Sequence, residues 1–419
     1  MELRNWAGNI RFSTDRVHHP ETVGQVQEIV RNSRQARVLG SRHSFNAIAD
    51  STGDLISLDR LQPVLEVDPQ RQQITIDGGV TYGRLAPRIH AAGFALHNTA
   101  SLPHITVAGA CATATHGSGS QNGILGSRVA AMEIVTADGT VRTISRADDA
   151  DRFAGAVVAL GGLGVVTRLT LDVSPTFDMY QVVYENLPLA QVEEHFEAIM
   201  SSGYSVSLFS DWRESRFNQA WIKTVAASRD AASAAPTFYG ATRATTDVHP
   251  LPTLDPATCT PQMGVVGPWH ERLPHFRSEF QPSYGEELQS EYFLPRAQAP
   301  AALRAIADIR GDVAPLLQMS EVRTIAADSL WMSPFYRRDC VALHFTWRYD
   351  WEGVKQLLPR IEERLAPFDA RPHWGKLFTL PAPTLQARYE RLPDFRALLE
   401  SFDPNGIFRN TFLETFVFS

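Results

Sequence analysis

The sequence has few cysteines and no excess of basic charge, and both absences exclude classes of protein. Its three cysteines, Cys111, Cys259 and Cys340, are widely spaced and odd in number, which predicts neither a disulfide framework nor a metal site of the zinc type. The formal net charge is −7. Because nucleic-acid binding requires a basic footprint, this charge argues against nucleic acid as a partner.

The sequence also lacks a long apolar run. No stretch approaches the roughly 18 apolar residues of a membrane-spanning helix, and residues 1–6 show no apolar core of a signal peptide. We therefore expect a cytoplasmic protein without a membrane partner, and we expect a monomer.

The residues that are present favour many short elements in two lobes. A chain of 419 residues is too long for one ordinary core, and 27 glycines and 26 prolines interrupt it throughout. Residues 19–22 (HPET) predict the start of a helix, residues 82–92 predict a second helix, and residues 131–145 predict a β-hairpin that turns at Asp138 and Gly139. Strands and helices lie too close together for a purely βαβ sheet, so the pattern indicates an α+β fold.

The composition changes near Pro175, where aromatic residues become more frequent. This change predicts a boundary between two domains. Within the second part, the small and polar residues 226–236 predict a surface loop.

A loop after a predicted strand is the first candidate site. Residues 40–44 (GSRHS) follow a short apolar run that ends at Leu39. A glycine, two serines and His43 suit a place where backbone N–H groups approach an anion closely. The alternative interpretation is a solvated turn that contains an incidental histidine.

A second loop lies about sixty residues later and is almost free of bulky side chains. Residues 100–119 (ASLPHITVAGACATATHGSG) contain no lysine and no acid. An anion here would be held by backbone and hydroxyl donors, beside a large flat ligand. A tightly packed internal turn is the alternative.

Two later strand-like runs carry polar residues at alternating positions. Because successive side chains of a strand point to opposite faces, Glu321 and Arg323 share one face, as do His344 and Thr346. Such a face is either exposed to solvent or a binding surface.

Together these motifs resemble a known flavoprotein family. Residues 40–44 and 109–119 look like the FAD-binding domain of the vanillyl-alcohol oxidase (p-cresol methylhydroxylase, PCMH) family, and residues 403–410 (DPNGIFRN) are similar to the C-terminal motif of its sugar- and aldonolactone-oxidising branch. The runs SLPHI (101–105), EVRT (321–324), HFTW (344–347) and HWGK (373–376) resemble the bacterial alditol (xylitol/sorbitol) oxidases of that branch.

The resemblance implies an FAD bonded covalently to His43. It implies that the loop residues wrap the cofactor, that Val165 contacts its adenine side, and that His373 contacts its isoalloxazine side. The implied cofactor-binding residues are Val38, Leu39, Gly40, Ser41, Arg42, His43, Ser44, Ser101, Thr106, Gly109, Thr113, Ala114, Thr115, His116, Val165 and His373. Arg42 is not diagnostic, because family members often carry another residue at its position.

The resemblance also implies a polyol site lined by Ser101, Glu321, Arg323, Thr346 and Lys376. Glu321 can accept hydrogen bonds from two substrate hydroxyls, and Arg323 can donate in a fixed fork. Arg323 and Lys376 would stabilise the developing alkoxide as hydride leaves for flavin N5. A neutral Lys376, a neutral His344 or solvent could accept the hydroxyl proton, and the sequence does not choose among them.

The implied activity is oxidation of a terminal primary alcohol of an alditol to an aldehyde, with dioxygen reduced to hydrogen peroxide. Two alternatives remain open at this point. One is an aldonolactone or sugar dehydrogenase of the same fold that uses another electron acceptor, a choice on which the small Ala100 could bear through oxygen access. The other is a flavin- or carbohydrate-binding protein without turnover.

The expected fold is therefore α+β, with three segments. Residues 1–174 would form a two-lobed FAD-binding domain of the PCMH type. Residues 175–370 would form a substrate-binding cap built on an antiparallel sheet flanked by helices, and residues 371–419 would return to the FAD-binding domain and the active site.

Overall fold

The structure is a computed structural model that describes residues 2–226, 234–277 and 286–419. Most of the predicted surface loop at 226–236 therefore lies outside the described residues. No helix in the described ranges is both long and apolar enough to span a membrane.

The first part of the chain mixes short strands and helices. Its helix α1 begins where the sequence predicts, because Thr22 and Gln25 form a capping box that satisfies free backbone N–H groups. The predicted hairpin at 131–145 is confirmed, with Val135 paired to Val141. The elements are α1 (Val23–Asn32), α2 (Tyr82–Ala91), α3 (Val107–Ala112), α4 (Ala150–Val157), β1 (Val17–His18), β2 (Ala36–Val38), β3 (Asp54–Ile56), β4 (Leu65–Asp68), β5 (Gln73–Asp77), β6 (Phe94–Ala95), β7 (Val129–Val135), β8 (Val141–Ser145), β9 (Val165–Asp172) and β10 (Ser174–Pro175).

Two sheets organise this first part. Strands β1, β3 and β2 pair in parallel, and β4, β5, β9, β7 and β8 form an antiparallel sheet in that order. The loop 40–44 follows β2 directly, as the sequence predicts. The loop 100–119 is not entirely irregular, because its residues Val107–Ala112 form α3.

The middle of the chain builds a large antiparallel sheet. Its strands run in the order β14-β15-β11-β13-β12-β18-β19-β17-β20, and β16 pairs with β11. The elements are α5 (Leu189–Met200), α6 (Ala299–Ala307), α7 (Arg310–Val313), α8 (Trp351–Leu365), β11 (Asp178–Pro188), β12 (Ser205–Ser210), β13 (Arg216–Val225), β14 (Thr237–Phe238), β15 (Ala241–Arg243), β16 (Gly267–Pro268), β17 (Glu287–Pro295), β18 (Leu317–Ile325), β19 (Cys340–Arg348) and β20 (Arg371–Pro372).

One face of the large sheet is apolar and covered by helices. Val322 and Leu343 pack in one core cluster with Ile199 of α5, Ile306 of α6 and Ile361 of α8. Because side chains alternate along a strand, the neighbouring polar residues of β18 and β19 point away from these helices, toward the first part of the chain.

The last residues return to the first part of the chain. They form α9 (Ala382–Gln386), α10 (Leu392–Phe402) and α11 (Thr411–Leu413). Leu398 and Leu413 pack in the same core cluster as Phe153 of α4. On the surface, Arg391 pairs with Asp151 at 2.9 Å. Beyond this contact, Asn410 donates hydrogen bonds to the backbone of residues 47–50.

Candidate active site

A cavity of about 500 Å³ lies where the loops of the first part meet the polar face of the large sheet. It brings together nearly all of the candidate residues from both halves of the sequence. Those that line it are Val38, Leu39, Gly40, Ser41, Arg42, His43, Ser44, Ser101, Thr106, Gly109, Thr113, Thr115, His116, Glu321, Arg323, His344, Thr346, His373 and Lys376.

Two candidate residues do not line the cavity. The side chain of Val165 is buried in a separate core cluster with Val135 and Phe408, while its neighbours Gly164 and Val166 face the cavity. Ala114 is fully buried between two cavity-lining threonines. Any contact that Val165 or Ala114 makes with a ligand would therefore go through its backbone.

The backbone of these loops is strained beside the cavity. Arg42, Ala114 and Leu160 have φ of +59°, +57° and +52°, in the left-handed region that side chains other than glycine rarely adopt. Such strain concentrates where function requires an unusual backbone. The residue type of Arg42 does not identify the family, but its strained backbone marks the loop 40–44 as a candidate functional segment.

Gly40, Thr106 and Gly109 form a close cradle in the cavity wall. A Cβ added at Gly40 would lie 2.6 Å from Thr106 Oγ1, and one added at Gly109 would lie 2.7 Å from the same oxygen. The side chain of Thr106 makes no capping hydrogen bond to α3. This arrangement fits a dinucleotide such as FAD, because it lets backbone and hydroxyl donors reach a phosphate group.

We expect Gly109→Ala to lower the amount of FAD bound to the purified protein several-fold, since the new methyl group must displace Thr106. The ratio of flavin to protein absorbance measures this loss. Gly311→Ala is the matched control, because a Cβ at Gly311 meets nothing within 4 Å. Equal flavin contents in the two variants would contradict the cradle.

Arg37 links the loops around the cavity through hydrogen bonds, and the sequence did not suggest this role. Its buried guanidinium donates to the carbonyls of Ile48, Leu160, Gly161 and Phe408. Burial lowers the pKa of Arg37 to about 10, so the group stays charged at neutral pH. It joins three backbone segments that are distant in sequence.

His43 lies at the cavity between two other rings. The ring of Trp6 is 4.3 Å away between centroids, and His104 Nε2 is 3.3 Å from His43 Nδ1. Burial, reinforced by nearby His104 and Lys376, holds the pKa of His43 well below its usual range. His43 is therefore a neutral imidazole, which is the nucleophilic form of the side chain.

Across the cavity, buried charged groups cover the face of β17, β19 and β18. Glu291 and Glu321 are both paired in register with His344, which lies between them on β19. These three residues and Arg323 are each at most 5% exposed. The polar face predicted from the sequence is therefore enclosed and not exposed to solvent; it carries Glu321, Arg323, His344 and Thr346.

Glu291, which sequence reasoning missed, is the centre of this cluster. Its carboxylate lies 2.8 Å from Arg323 Nη2, 2.8 Å from Lys376 Nζ and 3.2 Å from His116 Nε2. Burial would raise the pKa of Glu291, but Lys376, His116 and Arg323 outweigh it and hold the pKa well below the usual range. Glu291 is therefore a carboxylate that balances two buried cations.

Lys376 and His344 share a short contact. Lys376 Nζ lies 2.8 Å from His344 Nδ1, and His344 Nε2 lies 3.0 Å from Thr346 Oγ1. Burial and the neighbouring Lys376 lower the pKa of His344 to about 4, so this imidazole is neutral at pH 7. Burial also lowers the pKa of Lys376, whereas Glu291 opposes that shift.

His373 and Ser101 complete the cavity wall between the loops and the sheet. His373 Nδ1 accepts a hydrogen bond from the Gly375 N–H at 3.0 Å, and burial holds the pKa of His373 well below its usual range. The Phe45 N–H donates to the Gly375 carbonyl at 2.7 Å, which ties the loop of His43 to that of Lys376.

A further polar residue of the cavity, His275, was also missed. It comes from a loop, and its Nε2 lies 2.9 Å from Glu321 Oε1. Glu291 could have been found from the sequence, because Gln289 and Glu291 lie two positions apart in a strand-like run and therefore point to the same face. Nothing near His275 in the sequence indicates its contact with Glu321, 46 positions later.

Comparison with known proteins agrees with this geometry. The family model described as an FAD binding domain matches residues 14–145, and the model described as D-arabinono-1,4-lactone oxidase matches residues 284–416. The first contains the loop of His43, and the second contains Glu291, Glu321, Arg323 and Lys376.

Full-length relatives include an alditol oxidase from a Streptomyces species, which is 51% identical over 98% of this chain and 98% of its own length. L-gulonolactone oxidase from Mus musculus is 27% identical over 99% of this chain and 98% of its own length. L-gulono-1,4-lactone dehydrogenase from Mycobacterium tuberculosis is 26% identical over 97% of both.

Among solved structures, a cholesterol oxidase from B. sterolicum superposes with a TM-score of 0.80 at 14% identity, covering 99% of this chain and 96% of its own. At this identity the likeness shows the fold alone, and it confirms the predicted α+β architecture. The expected family is confirmed as well. The chain belongs to the alditol oxidase family, in the sugar- and aldonolactone-oxidising branch of the FAD-binding proteins of the vanillyl-alcohol oxidase (PCMH) type.

Proposed function

We propose that the protein is an FAD-dependent oxidase that converts the terminal primary alcohol of alditols such as xylitol and sorbitol to the aldose, with dioxygen reduced to hydrogen peroxide. The observation that carries the proposal is the enclosed cluster of Glu291, Glu321, Arg323 and Lys376 opposite the cofactor loops. A polyol offers only hydroxyl groups, and a buried set of charged donors and acceptors would be left unpaired by a less polar ligand. The alditol oxidase relative supports the same substrate class.

For the cofactor, we propose that the cradle of Gly40, Thr106 and Gly109 holds the pyrophosphate of FAD and that His43 is bonded covalently to the flavin. Neutral His43, fixed between Trp6 and His104, supports this assignment. The chemistry that FAD supplies when bound is two-electron oxidation, with acceptance of hydride from the substrate carbon.

The residues of the chain would position and polarise the substrate. Arg323 and Lys376 are cations that can donate to the oxygen of the reacting hydroxyl and stabilise its developing negative charge. Ser101, Glu321 and Thr346 would hold the remaining hydroxyls. Each of these side chains lines the cavity.

For the proton acceptor, we propose His344. Glu291 keeps Lys376 protonated, since its carboxylate lies 2.8 Å from Lys376 Nζ. His344 is neutral at pH 7, and its Nδ1 lies 2.8 Å from the ammonium of Lys376, so Lys376 can donate a proton to Nδ1 and take the proton of the substrate hydroxyl in its place. Among the groups that the sequence left open, His344 is thus the one in the basic form.

We expect Glu291→Gln to shift the alkaline limb of the pH profile of kcat/KM to lower pH. Activity requires the Lys376 ammonium, so it falls as pH rises through the pKa of Lys376. Burial lowers that pKa and Glu291 opposes the shift, so the loss of the carboxylate lowers it further. Glu390→Gln, at an exposed ion pair, is the control and should leave the limb in place. A limb that stays fixed in Glu291→Gln would show that Lys376 is not the titrating cation.

A second candidate function is an aldonolactone or sugar dehydrogenase that passes electrons to an acceptor other than dioxygen. The observation that favours it is the 26% identity with an L-gulono-1,4-lactone dehydrogenase. Ala100 lines the cavity, where the size of its side chain would affect the access of dioxygen. Peroxide formed in air with xylitol, measured against turnover with an artificial acceptor, separates the two functions. Stoichiometric peroxide supports the oxidase, and turnover only with the artificial acceptor supports the dehydrogenase.

We further propose that the chain is divided into three segments, residues 1–174, 175–370 and 371–419. We also propose that the protein is a monomer in the cytoplasm. The packing of the large sheet against α5, α6 and α8 supports the second segment, and the packing of α10 near α4 supports the third. The three cysteines are buried and free, which suits a reducing compartment. In the described ranges, large exposed apolar side chains are few and scattered, which supports a monomer.

A further inference from the structure

Asn46 is a side chain of the cavity wall to which the proposed mechanism gives no role. It lies three positions after His43, and its Nδ2 donates to the backbone carbonyls of Trp374 and Lys376 at 2.8 and 2.9 Å. Its Oδ1 accepts from the Ile48 N–H at 3.2 Å. Two carbonyls on one side and an N–H on the other determine the orientation of the amide. Both hydrogens of Nδ2 are therefore used within the protein.

The contacts of Asn46 join the segment after His43 to the segment that carries Lys376. The Phe45 N–H donates at 2.7 Å to the carbonyl of Gly375, which lies between the two carbonyls that Asn46 contacts. Three successive carbonyls thus accept hydrogen bonds from two successive residues. The two segments are 328 and 330 positions apart at the contacts of Asn46, so these hydrogen bonds are long-range links between the halves of the cavity.

The backbone of Lys376 is held at both of its polar groups. Its N–H donates to the His373 carbonyl at 3.0 Å, within its own loop, and its carbonyl accepts from Asn46. At the far end of the side chain, Nζ contacts Glu291 and His344 of the large sheet, each at 2.8 Å. The sheet therefore holds the ammonium, whereas Asn46 holds the base of the side chain against the proposed cofactor loop.

This link matters because the proposed reaction depends on groups from both halves of the cavity. The reacting carbon must face the flavin, which the loop of His43 would hold, while the oxygen on that carbon must meet the Lys376 ammonium. A misplacement of about 1 Å between reacting groups can lower a rate about 100-fold. The hydrogen bonds of Asn46 connect the two groups that must stay in register.

We propose that Asn46 is a positioning residue for the oxidation: it holds the backbone of Lys376 in register with the loop of His43, so that the ammonium meets the reacting hydroxyl in front of the flavin. The inference rests on the proposed roles of Lys376 and FAD. Because both Nδ2 hydrogens are already used, Asn46 has none left to donate to a polyol. Its replacement should therefore affect the limiting rate more than the affinity.

The first test measures the reduction of bound flavin by xylitol in Asn46→Ala holoenzyme, with the rate expressed per bound flavin. We expect the limiting rate to fall about 10- to 100-fold and the apparent dissociation constant of xylitol to change less than threefold. Asn410→Ala is the matched control, because Asn410 also donates to several backbone carbonyls, but those belong to residues 47–50. Its limiting rate should stay within threefold of wild type.

Asn46→Asp separates the donated hydrogen bonds from the bulk of the side chain. A carboxylate keeps the shape and an acceptor for the Ile48 N–H, but it has no hydrogen to donate. Once protonated it can donate one hydrogen, and the two nearby carbonyl oxygens favour that form. We expect its rate relative to wild type to recover in part as the pH falls, whereas the ratio for Asn46→Ala should stay low at every pH.

A measurement without turnover follows the position of Lys376 itself. The chain contains three lysines, Lys223, Lys355 and Lys376, so an NMR spectrum of protein with isotopically labelled lysine shows a small set of side-chain signals. The variants Lys355→Met and Lys376→Met assign them. We expect the Lys376 signal to move in Asn46→Ala and to keep its position in Asn410→Ala.

The possible outcomes separate this inference from the proposed function. A limiting rate within threefold of wild type in Asn46→Ala, or a Lys376 signal that does not move, would overturn the inference alone. An equal loss of rate in Asn410→Ala would indicate a general loosening of the fold and would overturn it as well. Wild-type flavin that no alditol reduces would overturn the proposed function and this inference together.

Discussion

Replacing Lys376 with methionine is expected to lower the rate of flavin reduction by xylitol about 100- to 1,000-fold, the usual loss when a preorganised donor to a developing oxyanion is removed. Lys376 Nζ lies among Glu291 and His344, both 2.8 Å away, and its methionine variant keeps the length of the side chain but not the charge. Anaerobic rapid mixing of the holoenzyme with xylitol measures the rate directly.

The control for this experiment is Lys355→Met, which removes a lysine from the exposed side of α8. It should leave the rate unchanged. Glu291 retains Arg323 at 2.8 Å in Lys376→Met, so its carboxylate is not left without a cation. A rate within threefold of wild type in Lys376→Met would remove Lys376 from the chemistry.

Replacing His43 with alanine is expected to abolish covalent attachment of the flavin. Acid-precipitated wild-type protein should give a yellow pellet, and the His43→Ala protein should give a colourless pellet and a yellow supernatant. FAD should still bind before denaturation, because the cradle of Gly40, Thr106 and Gly109 does not involve His43. Absorbance of the pellet and the supernatant measures the two fractions.

His195→Ala is the matched control, since His195 lies on α5 and is absent from the cavity wall. Its pellet should be yellow. A colourless wild-type pellet would mean that the flavin is held by contacts alone. A yellow pellet from His43→Ala would place the covalent bond on another residue.

The sequence predicted those parts of the fold that short-range patterns determine. Residues 19–22 and the apolar spacing after them indicated α1, and Asp138 and Gly139 indicated the turn of the hairpin, because helix starts and tight turns depend on a few adjacent residues. The helix α3 within residues 100–119 was not foreseen. Its small residues carry no helical periodicity, and packing beside the cavity decides its conformation.

The sequence likewise predicted only part of the candidate site. Glu321, Arg323 and Lys376 came from motifs that resemble a family, and alternation along β18 placed the first two on one face. The central role of Glu291 depends on which strands are neighbours, since β17 meets β18 only through β19. The contact of His275 with Glu321 depends on a loop held by Lys223. Such long-range pairings leave no local pattern to read.

One measurement tests the central claim most directly: xylitol is added to the purified wild-type protein under anaerobic conditions while the visible absorption of the flavin is followed. The account predicts that the yellow colour bleaches at once and returns, with formation of hydrogen peroxide, when air is admitted. A colour that persists with xylitol and sorbitol would contradict it and would leave a protein that binds a flavin without oxidising alditols.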